Sequence, residues 1–241
     1  MGSIFTTSYG LGPGGNIEIN ARNLRLAHGS TIRAEGLDAG AAGNISLRAG
    51  QNIVLTGHSA ISTSALGSSG GEISLIAGSQ IELADSRITA QAGPGGGGNI
   101  TLRAPFLIYL LNSTLSAEAV GDGGNLTIDP VFFVLNNSSL ISRSSSANGG
   151  NISILGDYFF QSSSRLDASA PFGLPGTVSV TAPDLDLSGS LIGLPSNLLD
   201  VENQLRPDCR VRVAERTSSF IMLGRGGLPL EPGGFVPSGP P

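Results

Sequence analysis

Apolar residues alternate with a polar residue shortly after a pair of small residues at seven places along the chain, and in six of these places the polar residue bears a hydroxyl. The hexapeptide GGNISI at residues 149–154 is the fullest example, and related copies begin at residues 14, 42, 70, 97, 123 and 175. Within each copy two aliphatic residues flank one polar residue, which is the period-2 pattern of a half-buried strand. The second residues of successive copies are 28, 28, 27, 26, 26 and 26 residues apart. This regular spacing predicts a solenoid or array built from β-strands.

Each repeat carries two further strand signals at nearly constant distances from its glycine. The second signal is a short apolar stretch, such as Ile53 and Leu55. The third is a serine two residues before an aliphatic residue, followed by a small residue, as in Ser86, Ile88 and Ala90. A loop rich in Gly, Ala and Ser then closes the repeat, because glycine tolerates the backbone of tight turns. Three strands in so few residues predict one rung, meaning one full winding, of a parallel β-helix.

Equivalent residues of successive rungs stack about 4.8 Å apart in such a helix, so each strand pairs with its copy in the next rung. We therefore expect an all-β parallel β-helix (solenoid) of about seven three-strand rungs. The first predicted inward ladder is Ile17, Ile45, Ile73, Ile100, Leu126, Ile152 and Val178. The second is Ile19, Leu47, Leu75, Leu102, Ile128, Ile154 and Val180. A β-propeller is the competing architecture, although its blades need about 40 to 50 residues.

The repeats predict two regions, a β-helix over residues 1–193 and a small C-terminal cap over residues 194–241. Residues 196–205 fit one short helix, residues 219–223 fit a strand, and the tail from residue 226 is rich in Gly and Pro. A cap is needed because the last rung of a solenoid otherwise presents unpaired strand edges. Met1, Gly2 and Ser3 are interpreted as a cloning remnant, and the repeat is under way by Gly14.

Composition and charge argue against several classes of function. All thirteen basic residues are arginines, they are scattered singly, and the net charge is −5, so we expect no nucleic-acid partner. No apolar run approaches the roughly 20 residues of a membrane helix, so we expect no membrane insertion. Cys209 is the single cysteine, which excludes an internal disulfide. No signal-peptide pattern opens the chain, and we expect it to be a fragment of a longer protein.

Several motifs resemble functional sites by their letters alone. Matches to G-x-G-x-x-G begin at Gly10 and Gly93, and Gly67 begins a match to G-x-S-x-G, but each precedes a strand and lacks the strand–turn–helix setting. His28 and His58 occupy the same turn position in neighbouring rungs, where later rungs have Asp or Asn. We interpret both as solvated turn residues and expect no metal site, no cofactor-binding site and no cofactor.

A polysaccharide-cleaving site would need two carboxylates at a suitable separation. Glu35 and Glu118 occupy equivalent positions three rungs apart, which predicts a separation of about 14 Å. Catalytic carboxylates of glycosidases lie about 5 to 9.5 Å apart, and the intervening Ser64 and Gln91 cannot replace one. We therefore expect no catalytic residues here.

Two other polar features are interpreted as parts of the solvated surface without a specific site. Glu82 and Asp85 lie near Arg87, with no further basic partner on that face. Asn-x-Ser/Thr sequons occur at Asn44, Asn99, Asn112, Asn125, Asn136, Asn137 and Asn151, and most of them follow from the repeat itself.

The chain resembles the filamentous haemagglutinin-like exoproteins of the two-partner secretion pathway. The resemblance rests on the GGNISI-type rungs with Ser-x-Ile third strands over residues 14–193. It is strengthened by Leu198 and Leu199, by the lone Cys209, and by the sequence SFIMLGRGGLP at residues 219–229, which is similar to the family's C-terminal signature.

This resemblance implies a right-handed β-helix and a rod-like adhesin without a catalytic site. It also implies secretion through an outer-membrane two-partner secretion transporter, at the surface of a Gram-negative bacterium or cyanobacterium. Host or matrix glycans or proteins are the implied further partners. Because the family's N-terminal secretion domain does not appear, we expect a C-terminal segment. The alternatives are a polysaccharide-active (lyase or hydrolase-like) β-helix enzyme, a glycan-binding module, and a structural module with no ligand.

Overall fold

The computed structural model describes residues 2–181, together with the backbone of four residues near the C-terminus, 212–213 and 216–217. All regular structure in this described part is β-strand. In chain order the strands are β1 (Ser3–Ser8), β2 (Ile17–Ala21), β3 (Leu24–Leu26), β4 (Thr31–Gly36), β5 (Ile45–Ala49), β6 (Asn52–Leu55), β7 (Ala60–Ala65), β8 (Ile73–Ala77), β9 (Gln80–Ala84), β10 (Arg87–Ala92), β11 (Ile100–Leu111), β12 (Thr114–Ser116), β13 (Leu126–Asn136), β14 (Ser139–Ile141), β15 (Ile152–Ile154), β16 (Tyr158–Ser162), β17 (Arg165–Asp167), β18 (Val178–Val180), β19 (Arg212–Val213) and β20 (Arg216–Thr217).

The strands of residues 3–180 stack in three parallel columns, which confirms the predicted β-solenoid of about seven rungs. The first column runs β2, β5, β8, β11, β13, β15 and β18. The second contains β3, β6 and β9, then the later halves of β11 and β13, and finally β16. The third runs β1, β4, β7, β10, β12, β14 and β17. Strands β11 and β13 pass through the corner between two columns, with a register shift between Ala104 and Leu107.

The two predicted inward ladders form the core of the solenoid. Ile45 pairs with Ile73, and Leu47 pairs with Leu75, so residues 28 apart stand directly above one another. Aliphatic residues of both ladders are buried from the second rung through the sixth. Val178 keeps the register in the seventh rung but is 42% exposed, so the predicted burial ends at the sixth. Burying each such side chain stabilises the fold by about 1.5 to 3 kcal/mol.

The repeated serine of the third strand satisfies backbone groups at a buried corner. Ser113 is 2% exposed and its hydroxyl donates to the carbonyl oxygen of Leu111 at 2.7 Å. The same hydroxyl accepts the backbone N–H of Ser86 from the preceding rung at 3.2 Å. Ser138 repeats this arrangement, because its hydroxyl accepts the N–H of Ser113 at 2.9 Å. From Ser113 to Ser164 the serine hydroxyl thus satisfies a backbone N–H of the preceding rung, as buried backbone groups need partners.

The repeated asparagine of the first strand forms a second polar ladder on the outside. The Asn99 side-chain oxygen accepts the backbone N–H of Asn125 at 2.9 Å. Asn125 accepts from Asn151 at 2.9 Å, and Asn151 accepts from Thr177 at 2.8 Å. A shorter run of the same kind joins Asn16, Asn44 and Glu72. The sequons of the repeat therefore arise from asparagines that link one rung to the next.

Strand β1 extends the stack before the first predicted repeat. Ile4 pairs with Ile32, and Thr6 pairs with Ala34, so β1 is a third-column strand. Ser3 pairs with Thr31, so the stack includes this residue, which the sequence pattern did not assign to a strand. The signal was hidden because Gly2 stands where the other third strands have their serine.

Several predictions for the C-terminal region lie outside the described residues. These are the helix at 196–205, the strand at 219–223, the tail, Cys209, and the second and third strands of the seventh rung. The described residues there form a two-stranded antiparallel pair in which Val213 pairs with Arg216, which the sequence pattern did not predict. The chain divides into compact units at residues 1–185 and 186–241. The boundary at 193 stays a prediction.

The close stacking of rungs makes Gly98 sensitive to substitution. A Cβ atom at residue 98 would overlap the carbonyl oxygen of Gly71 in the preceding rung and lie 3.1 Å from Cβ of Ala90. We expect Gly98→Ala to lower the free energy of unfolding by about 1 to 3 kcal/mol in urea titrations. Gly96→Ala is the matched control, because nothing lies within 4 Å of its new Cβ. Equal stability of the two variants would contradict the described stacking.

The asparagine ladder predicts a specific difference between two substitutions at Asn99. Its side-chain oxygen accepts both the backbone N–H and the side-chain amide of Asn125, at 2.9 and 3.2 Å. Asn99→Ala removes both bonds and should cost about 0.5 to 1.5 kcal/mol of unfolding free energy. Asn99→Asp keeps an acceptor and should stay near wild type. If the aspartate variant were as unstable as the alanine variant, the acceptor would not be the reason for this asparagine.

Candidate functional site

A groove of about 640 Å³ crosses five successive rungs at the end of the third column. One side is a column of polar side chains, one from each rung: Ser64, Gln91, Glu118, Arg143 and Ser169. The other side comes from the closing loops and includes Leu66, Gly93, Val120, Ser145 and Pro171. Four steps between rungs give the groove a length of about 19 Å along the solenoid axis.

Strand register and small residues together create this groove. Gln91 pairs with Ser64, and a bridge between Ala92 and Ala119 continues the alignment into the next rung. The position after the polar column is Ala65, Ala92, Ala119 and Ser144, all buried. The polar column immediately before this buried position therefore stays in register from rung to rung and lines one side of the groove.

Arg143 and Glu118 form the charged centre of the groove. The Nε and Nη2 groups of Arg143 donate to the same Glu118 oxygen, at 2.9 and 2.5 Å. The other carboxylate oxygen of Glu118 accepts from the Ser116 hydroxyl at 2.8 Å. The hydrogen bond to Glu118 and the negative charge of that carboxylate raise the pKa of Arg143 above its usual value. Both charged groups are thus held by partners within the protein.

Asp167 extends the charged centre into the sixth rung. It is 7% exposed and accepts from Arg165 Nη2 at 2.8 Å and from the Ser169 backbone N–H at 3.1 Å. Arg143 Nη1 lies 3.9 Å from the same carboxylate. Burial acts to raise the pKa of Asp167, but the hydrogen bonds from Ser169 and the two arginine charges outweigh it and leave this pKa below its usual value. Arg143 therefore bridges two carboxylates.

The groove offers hydrogen-bonding groups beside a charge-balanced cluster. The carboxylates of Glu118 and Asp167 face the guanidinium groups of Arg143 and Arg165, so the charges of the cluster cancel. A general acid for glycoside cleavage needs a raised pKa, whereas that of Asp167 is lowered. Among residues 2–181, the structure records no hydrogen bond from the side chains of Ser64 and Gln91. These two side chains can bind a ligand.

The predicted relation between Glu35 and Glu118 is confirmed. Glu35 pairs with Ser64, which pairs with Gln91, so three rungs separate the two carboxylates. Arg33 lies 3.3 Å from Glu35 and forms a separate ion pair. Sequence reasoning missed the Glu118–Arg143 pair. Aligning the third-strand motifs would have found it, because Arg143 follows its motif where Glu118 follows the preceding one.

The two histidines are exposed turn residues, as predicted. His28 and His58 have positive φ angles of 56° and 62°. Asp85, Asn112 and Asn137 adopt the same left-handed conformation at the equivalent turns, with φ between 45° and 50°. Asn and Asp tolerate this conformation well. The Asn112 amide donates to Asp85 at 3.0 Å, and Asn137 donates to Asn112 at 2.9 Å, so the turns carry a side-chain ladder of their own.

The remaining sequence candidates lie in surface positions. Glu82 aligns with Val54 and Tyr109 on the outside of the second column. Asp85 and Arg87 line a smaller hollow of about 310 Å³ together with His58. Both G-x-G-x-x-G matches and the G-x-S-x-G match lie in loops between a third-column strand and the next first-column strand.

Neither a cluster of metal ligands nor a membrane-spanning helix occurs among the described residues. In residues 2–181, no three His, Cys, Asp or Glu side chains lie close enough to hold a metal ion together. The described residues include no helix with the length and apolar character needed to span a membrane.

Comparison with protein-family models, curated proteins and solved structures finds no match to this chain. The resemblance to filamentous haemagglutinin-like exoproteins stays a prediction from the sequence.

The lowered pKa of Asp167 predicts a pH-dependent contribution to stability. A carboxyl group whose pKa is below its usual 3.8 in the folded protein stabilises the fold above that pH. This stabilisation disappears as the pH falls through the folded-state pKa. We therefore expect Asp167→Asn to be less stable than wild type at neutral pH, and the difference in unfolding free energy to shrink below pH 3.8.

Urea titrations at several pH values measure this difference. Asp129→Asn is the matched control, because Asp129 forms an exposed ion pair with Arg103 at 3.2 Å. Its loss should cost less than about 1 kcal/mol at neutral pH. A stability gap for Asp167→Asn that stayed constant on acidification would contradict the stabilising role of the ionised carboxylate.

Proposed function

We propose that this chain is a structural and adhesive β-helical segment of a filamentous haemagglutinin-like exoprotein. The observation that carries the proposal is the regular hydroxyl-lined surface of the stack. Outward positions of the first column hold Ser46, Ser74, Thr101, Thr127 and Ser153 in five consecutive rungs, and none of them is buried. A solenoid that repeats one surface along its length suits extended contacts with another surface.

Export and location follow from the sequence resemblance. The rungs and the SFIMLGRGGLP sequence at residues 219–229 support a two-partner secretion exoprotein. The proposed transport partner is an outer-membrane transporter of that pathway, and the proposed location is the cell surface or the medium. Host or matrix glycans or proteins are the proposed contacts, with no cofactor.

A polysaccharide-cleaving enzyme is the second candidate, and one observation favours it. Glu118 and Arg143 line one groove, and the Asp167 carboxylate lies 3.9 Å from Arg143, as the side chains of a cleavage site could. Both carboxylates, however, are bound to arginines, and the pKa of Asp167 moves away from that of a general acid. The adhesive function therefore has the stronger support.

Adhesion of coated beads tests the proposed function. Beads carrying residues 1–241 should adhere to cell surfaces and extracellular matrix above the level of uncoated beads. Adhesion should weaken with Gly98→Ala, which disturbs the stack, and persist with Gly96→Ala. Equal adhesion of coated and uncoated beads would contradict an adhesive role.

The enzyme alternative is tested on the same protein with neutral and acidic polysaccharides. We expect no release of reducing ends and no formation of unsaturated sugars. Sustained turnover that disappears in Glu118→Gln would replace the adhesive proposal with a catalytic one.

A further inference from the structure

We propose that the groove along the third column binds an extended, uncharged polysaccharide strand. The proposal deepens the adhesive function given above and rests on it, because it names the ligand class and the surface that would contact it. The central residues of this site are Gln91, Glu118 and Arg143.

The spacing of the groove fits a polymer that repeats along the solenoid axis. Each rung contributes one side chain to the polar side of the groove, and rungs are about 4.8 Å apart. One sugar unit of an extended polysaccharide has a similar length. A strand lying in the groove could therefore present each successive sugar to a new polar side chain, from Ser64 to Ser169.

The polar side of the groove has both donors and acceptors for sugar hydroxyls. The hydroxyl of Ser64 and the amide of Gln91 have no recorded partner among residues 2–181, and each can donate and accept. Arg143 directs Nη1 toward Asp167 at 3.9 Å, which is too long for a strong hydrogen bond and leaves that group able to donate to a ligand.

The loop side of the groove includes apolar residues that suit the C–H faces of sugar rings. Leu66 is 62% exposed and Val120 is 47% exposed, although both are aliphatic. Pro171 continues this side in the sixth rung. Ligand sites commonly combine apolar surface with a few placed polar groups.

Charge balance favours a neutral polymer over an acidic one. Two carboxylates, Glu118 and Asp167, face the guanidinium groups of Arg143 and Arg165. To bind an anionic sugar, Arg143 would have to weaken its contacts with these carboxylates. That exchange is unfavourable because Asp167 is nearly buried and would lose a compensating charge.

The backbone around the groove disfavours an extended peptide as the ligand. The N–H groups of Ala92 and Ala119 donate to carbonyl groups of the following rung, each at 3.1 Å. The N–H of Val120 donates to Ala92 in the preceding rung at 3.2 Å. A peptide that binds by strand addition needs a free strand edge, whereas this groove crosses paired strands.

Calorimetry with oligosaccharides of defined length tests the proposal on residues 1–241. The probes are neutral gluco-, xylo-, manno- and galacto-oligosaccharides from disaccharides to hexasaccharides. We expect at least one neutral series to bind, with an affinity that rises with length until the groove is filled. Oligogalacturonates are titrated as acidic ligands and extended hydroxyl-rich peptides as peptide ligands, and both should bind more weakly than the neutral series.

Two variants of exposed residues locate the binding surface. Gln91→Trp places a large side chain on the polar side of the groove and should lower the affinity for neutral oligosaccharides at least about tenfold. Arg25→Trp is the matched control on the outside of the second column, away from both the groove and the hydroxyl-lined face, and should bind like wild type. Circular dichroism and thermal unfolding confirm that both variants retain the fold.

A third variant tests the charge argument separately. Glu118→Gln leaves the cluster with one net positive charge, so we expect it to gain affinity for oligogalacturonates. The ratio of its affinity for oligogalacturonates to its affinity for the neutral series should therefore rise above the wild-type ratio. This variant also provides a test of the site if Gln91→Trp does not fold.

Several results would overturn the groove assignment. One is the absence of binding by every neutral series, and another is equal affinity of Gln91→Trp and Arg25→Trp. The others are tighter binding of oligogalacturonates or peptides than of neutral sugars by wild type, and no gain in affinity for oligogalacturonates in Glu118→Gln. If coated beads still adhere to cells while the groove binds no neutral sugar, the adhesive function stands and the groove proposal fails. If beads do not adhere but oligosaccharides bind in the groove, the adhesive function fails alone.

Discussion

Stacking of rungs at the spacing of paired strands is the constraint on which the whole structure depends. Each residue has a counterpart directly above and below it, so a side chain that suits one rung must also suit its copies. Aliphatic residues therefore recur at the inward positions, where Ile45 and Ile73 meet. Glycine recurs where two rungs approach so closely that a Cβ atom would meet a carbonyl group, as at Gly98. The same spacing turns isolated polar residues into ladders.

These polar ladders explain why the chain carries motifs that resemble sites of chemistry. The asparagines of the sequons accept backbone N–H groups from the following rung, and the corner serines satisfy buried backbone groups. His28 and His58 stand at turns that need a left-handed backbone. In each case a backbone requirement, repeated rung after rung, accounts for the residue type. Function is more informatively sought where the repeat departs from its own pattern.

The groove contains such a departure. The polar column changes from Ser64 and Gln91 to Glu118 and Arg143, and a carboxylate appears in the next rung at Asp167. Stacking brings these charges together, and mutual neutralisation keeps them in place. The result is a channel with hydrogen-bonding groups on one side, apolar residues on the other, and balanced charge at its centre. This combination links the solenoid architecture to the adhesive function and ligand class proposed for it.

The sequence by itself determined the period, the three strands of each rung, the inward ladders and the residues at the turns, because these follow from alternation and from a constant repeat. It also contained the register that places Arg143 above Glu118. Only the tertiary structure decided which outward side chains reach one another, because side-chain conformations bring Arg143 to both Glu118 and Asp167. It also revealed β1 and the continuous strand through the corner at Ala104, where local sequence gives no repeat signal. The groove combines residues of five rungs, and no single repeat specifies that combination.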